Sequence, residues 1–184
     1  MKKRLFLVPF MAVALVFSLF IAGCGGPDPA QLIREDLEAA LGDLDTVNEE
    51  LATGLEQAAG EDLGTLGISA EEFSDAYLDG FGYEIGDITV DGDTATAEVT
   101  VTVKSFNDIM TTFQTDFTEW VYSTDLTTIT SEDDLYQEAG RILLETVQNA
   151  EATESTLTVD YTKDGDDWTM DPVSQSEVNA LFGV

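Results

Sequence analysis

Apolar positions along most of this chain recur either every three to four residues or every second residue, and the two periods mark out helices and strands. Asp28, Pro29 and Gln31 read as a helix start, with Asp28 as the cap, Pro29 at the first helical position and Gln31 able to close a capping box. Leu37, Leu41, Leu44, Val47, Leu51 and Leu55 follow at helical spacing. They predict one long helix from Pro29 to about Ala59, with Gly60, Gly64 and Gly67 forming the loop after it. Ser69-Ala70-Glu71-Glu72 is a second capping pattern, Phe73, Ala76 and Tyr77 share one face, and Gly80 is the expected stop.

The period then changes to two. Tyr83 to Val90 reads as a strand whose parity switches at Gly86-Asp87, the signature of a bulge. Asp91-Gly92 is a two-residue hairpin turn. Beyond it Ala95, Ala97, Val99, Val101 and Val103 alternate with Thr94, Thr96, Glu98, Thr100, Thr102 and Lys104, one face apolar and one wet. Ser105 then caps a helix bearing Phe106, Ile109, Met110, Phe113, Phe117, Trp120 and Val121. Leu126 to Thr130 connects it to another, capped by Ser131, with Leu135, Ala139, Ile142, Leu143, Val147 and Ala150 inward. Leu157, Val159 and Tyr161 alternate into the turn Asp164-Gly165-Asp166-Asp167, and Trp168 and Met170 continue the returning strand. Ser174 caps a last short helix with Val178, Leu181 and Phe182, ended by Gly183. Hairpins and helices in separate blocks predict an α+β fold. Its curved antiparallel sheet is built from two β-hairpins and packed against helices.

The segment ahead of Asp28 has a different character. Lys2, Lys3 and Arg4 precede an apolar run, Leu5 to Ala22, broken only by Pro9 and Ser18. A basic start, an apolar middle and small residues before a cut are the parts of an export signal. The run is also close to the roughly 20 apolar residues that a retained membrane span needs. The one cysteine of the chain separates these readings. Ile21-Ala22-Gly23-Cys24 resembles the lipobox of bacterial lipoproteins, an aliphatic residue and two small ones before cysteine. The resemblance implies a diacylglyceryl group on the Cys24 thiol, with acyl chains such as palmitate, and cleavage between Gly23 and Cys24. Residues 1–23 are then a lipoprotein signal peptide, residues 24–27 the lipidated cysteine and a short tether, and residues 28–184 a single acidic domain. The protein would sit outside the cytoplasmic membrane and be lipid-anchored to it.

Cleavage would remove three of the seven basic residues and none of the 37 acidic ones, leaving a net charge of −33. That charge excludes nucleic acid as a partner, which requires a basic surface. It would attract metal ions, polyamines or basic proteins. The chain contains no histidine, the commonest general base and metal ligand. With the thiol lipidated, catalysis would fall to carboxylates, Ser, Thr, Tyr, Lys104 or Lys163. Asp164 to Asp167 has an acidic spacing like a calcium loop, but Trp168 and Thr169 occupy the fifth and sixth positions, where an oxygen ligand and a glycine are needed. No metal, cofactor or catalytic residue is therefore assigned.

The lipobox, the Tyr83–Lys104 hairpin and the Asp164-to-Trp168 hairpin with its terminal helix together resemble small envelope lipoproteins of cystatin-like or nuclear-transport-factor-two-like fold. In that fold a curved antiparallel sheet wraps a helix and leaves a cone-shaped cavity. The resemblance implies a non-catalytic module that binds an envelope protein or a small ligand. Phe106, Phe113, Phe117, Trp120, Tyr161 and Trp168 are then candidates to line the cavity, although the same spacing is what a helix packed into a plain core shows. The alternative it implies is a lipid-anchored enzyme using carboxylates in that cavity.

Overall fold

The computed structural model describes residues 28–124 and 129–182. The elements are α1 (Pro29–Gly42), α2 (Leu44–Thr65), α3 (Ala70–Leu78), β1 (Gly82–Asp91), β2 (Thr94–Lys104), α4 (Phe106–Ser123), α5 (Glu132–Asn149), β3 (Ala152–Asp164), β4 (Asp167–Met170) and α6 (Gln175–Phe182). The class is mixed α+β, with an open four-stranded antiparallel sheet in the order β1-β2-β3-β4. The described residues fall into two compact units that interleave along the chain. One holds Asn48–Asp79 and Phe106–Glu151 and is helical; the other holds the sheet, α1 and α6.

The sheet unit is built on β2. Its side chains alternate as the sequence predicts: Ala95, Ala97, Val99, Val101 and Val103 are buried, while Thr94, Thr96 and Glu98 are exposed. Val159 and Tyr161 of β3 continue the buried face. The expected bulge is present as a register shift between Ile85 and Ile88. The first hairpin turn lies one residue later than expected. Asp91 pairs with Thr94, so the turn residues are Gly92 and Asp93, and Gly92 takes the positive φ of 63°. The second turn matches it, with Asp164 paired to Asp167 and Gly165 at φ 69°. Both use glycine where L residues are strained.

Helix α1 packs against β1 and β4. Its Ile33 and Leu37 are buried. Asp28 caps it, accepting from the Ala30 amide at 3.1 Å. Gln31 does not close a capping box; its side chain donates to Glu35 instead, at 2.9 Å. The single helix expected from Pro29 to Ala59 is in fact two. Asp43 leaves helical geometry at φ −89°, ψ 81° and starts α2 anew, accepting from the Val47 amide at 3.0 Å. Its carboxylate also takes the Thr46 amide and hydroxyl, at 3.3 and 2.9 Å. The leucine repeat runs through the break because periodicity carries no information about one residue's backbone angles. Gly60 and Gly64 lie within α2, and only Gly67, at φ 73°, belongs to the loop.

In the helical unit α5 packs against both α3 and α4. Ser69 caps α3, accepting from the Glu72 amide at 3.1 Å, and Gly80 follows its end at φ 84°. Ser131 and Asp134 form a reciprocal capping box on α5. Phe73, Ala76, Tyr77, Ala139, Ile142, Leu143 and Val147 are buried, and the Phe73 and Tyr77 rings stack at 6.3 Å. Burial pushes the Tyr77 phenol above its usual range, so it stays neutral. Ser174 and Glu177 cap α6 reciprocally, the Ser174 amide donating to the carboxylate at 2.9 Å.

Candidate functional site

Gly23 and Cys24, the expected cleavage and lipidation residues, lie outside the described residues. Among the described residues no helix is long and apolar enough to cross a membrane.

The six candidate aromatics divide between the units. Phe106, Phe113, Phe117 and Trp120 are on α4 in the helical unit; Tyr161 and Trp168 are on β3 and β4 in the sheet unit. On α4 the fourfold and threefold spacings stack three rings in a row. Phe113 lies 5.8 Å from Phe117, and Phe117 lies 5.7 Å from Trp120, with interplanar angles of 23° and 19°. Of the apolar residues on this helix only Ile109 is buried; the stacked rings are half-buried, and Tyr122 is 87% exposed. A core helix buries its aromatics, so this row keeps aromatic area facing solvent.

Tyr161 has a different role. It is 1% exposed, and its hydroxyl donates to Asp36 Oδ2 at 2.9 Å, tying β3 to α1. Burial pushes its phenol upward, and the adjacent Asp36 carboxylate adds to the shift. Its hydrogen bond supports the fold. Tyr161→Phe should therefore cost about 1–2 kcal/mol, because a hydrogen bond to a charged acceptor is lost while the ring still packs. Urea unfolding measures this; an unchanged midpoint would mean that the bond contributes nothing.

One feature was not picked out from the sequence. Glu71, Glu72, Asp75 and Asp79, with Ser69, Ala76 and Gln148, line an open depression of about 580 Å³ beside α3. Glu71, Asp75 and Asp79 are four residues apart, so their helical spacing was the available signal. Among the described residues no group of three acidic side chains is arranged to hold a metal ion. Three carboxyl groups are held below their ordinary range. Asp134 is lowered by hydrogen bonds from Thr130 and Ser131, Glu138 by Arg141, and Glu177 by Ser174. Among the described residues the buried polar side chains are Ser74, Lys104 and Thr146.

Residues 70–182, more than half of the chain, match the family described as Domain of unknown function (DUF5105). The chain belongs to the DUF5105 family. Within the chain the DUF5105 match opens at α3 and closes in α6, so it takes in the whole sheet and leaves out α1 and α2. No curated protein matches the chain. Among solved structures it is similar to ycdA, a candidate lipoprotein of Bacillus subtilis, at 13% identity and a TM-score of 0.46. The likeness covers 77% of this chain and 51% of that one, so the chain spans about half of that protein's length.

Proposed function

We propose that this DUF5105 protein is an extracytoplasmic lipoprotein, lipid-anchored to the cell membrane, whose folded part is a non-catalytic module binding a protein or small ligand. The observation that carries it is Ile21-Ala22-Gly23-Cys24, placed at the end of the apolar run and five residues before α1 starts. Five extended residues span at most about 17 Å, so the anchor would hold the start of α1 close to the bilayer surface. The half-exposed row Phe113, Phe117 and Trp120 offers apolar surface for a binding partner. The finer shape we infer for the sheet unit is cystatin-like, supported by α1 lying against β1 and β4 of a four-stranded antiparallel sheet.

Intact-mass spectrometry of the protein from its own membranes tests the anchor. The expected species begins at Cys24 and carries a diacylglyceryl group. An unmodified sulfur at Cys24, or a chain still beginning at Met1, would overturn the reading.

A further inference from the structure

We propose that the outer edge of β3, from Ala152 to Thr158, receives an extended, lysine- or arginine-bearing segment of a partner protein as an added strand. The proposal deepens the binding-module reading by naming a class of partner, and it does not depend on Cys24.

Among the described residues the edge is open because β3 and β4 differ in length. β3 has 13 residues and pairs with β2 from Ala152 to Thr162 without a register shift. β4 has four residues and covers only Tyr161 to Asp164 on the other side. One more bond, from the Asp171 amide to the Asp160 carbonyl at 2.8 Å, closes that ladder. Pro172 follows and has no amide to extend it.

Parity shows which backbone groups this leaves facing outward. In an antiparallel ladder, successive residues turn both backbone groups alternately to one neighbour and to the other. The Lys163 amide donates to the Asp93 carbonyl in the β1–β2 turn, so odd residues of β3 face β2. The Asp160 carbonyl faces the β4 side, so even residues face away from β2. The amides and carbonyls of Glu154, Thr156 and Thr158 therefore point beyond the end of β4, and their side chains are exposed.

The opposite edge is treated differently. β1 carries the bulge, and Arg34 of α1 caps two of its carbonyls, Ile85 and Gly86, at 2.9 Å each. Bulges, covering groups, prolines and lysines are how proteins blunt a sheet edge. Ala152 to Thr158 has no proline, lysine or bulge, and is rich in threonine, a good strand former.

Charge selects the occupant. Glu154 and Asp160 on β3, and Glu98 on the adjoining β2, are exposed on the wet face at this edge. Among the described residues Arg141 is the only exposed basic one, and it already pairs with Glu138 and Glu145 at 2.6 and 2.8 Å. A second copy would bring the same acidic surface, whereas a cationic strand gains from it.

Amide hydrogen exchange on the full-length protein in detergent micelles tests this. The probe is a short peptide alternating Thr and Val with lysines along it. In the free protein the Glu154, Thr156 and Thr158 amides should exchange fast and those of Thr153, Ser155 and Leu157 slowly. Peptide at ten times its Kd should slow the fast set about tenfold. Thr156→Pro should abolish that slowing at Glu154 and Thr158 while the β2-facing amides stay slow, which shows that the sheet persists. Four results would each overturn the proposal. They are even-numbered amides already slow in dilute free protein, no slowing by the lysine peptide, equal slowing by a glutamate version, and slowing that grows with protein concentration alone.

Discussion

Gly140→Ala should destabilise the helical unit by about 3 kcal/mol or more, the upper end of what overpacking costs. Gly140 is buried in the middle of α5, where glycine normally weakens a helix by about 1 kcal/mol relative to alanine. The reason for its presence is a close approach. A Cβ there would run into the Leu66 carbonyl, just past the end of α2, lying 2.9 Å from its carbon and closer still to its oxygen. Backbone cannot swing aside as a side chain can, so α5 would have to move off that turn. Gly54 in α2 is the internal control, because a Cβ there meets nothing within 4 Å. Gly54→Ala should stabilise by up to about 1 kcal/mol through helix propensity alone. Chemical denaturation of both variants gives the comparison. A Gly140→Ala midpoint at or above the parent's would show that the approach is not tight.

Cys24→Ala should lose all fatty-acid label in growing cells, and the species that begins at position 24 should disappear from the membrane fraction. One acyl chain holds a protein marginally, while two hold it stably at roughly 0.8 kcal/mol per buried methylene. Among the described residues no helix is long and apolar enough to span a bilayer, and the acidic surface is repelled by anionic lipid. Labelling that persists in the variant would remove the basis for a lipid-anchored protein. The amide exchange at β3 would be untouched by that result, so the two ideas fail separately.

Strand β2 was fully legible because one face is buried and the other wet, which writes a period of two into the residues. The capping boxes at Ser131 and Ser174 were legible for a similar reason, since a few neighbouring side chains satisfy the exposed amides. The break at Asp43 was not seen, although Asp43 and Thr46 are a start signal of the same kind as Asp28. The regular leucines on both sides masked it. Gly140 was visible only as a glycine inside a helical pattern; its meaning depends on Leu66, seventy-odd positions away. The open edge of β3 depends on how far β4 pairs, which no local pattern states, although Pro172 marks where pairing must stop. For the candidate site, the spacing of Phe113, Phe117 and Trp120 foretold that they would share a face. It could not foretell that the face would stay half-exposed. Tyr161 was grouped with them by its chemistry, yet its hydroxyl is held by Asp36, a partner 125 residues distant.

Lys104 and Ala152, where the chain leaves the sheet and where it returns, are cross-strand partners. The 47 residues between them thus form a detour with adjoining ends. For a flexible detour each doubling in length costs only about 0.6 kcal/mol of closure entropy. Insertions and deletions that separate one DUF5105 sequence from another should therefore gather in the connector between α4 and α5, with the paired strands on either side keeping their lengths.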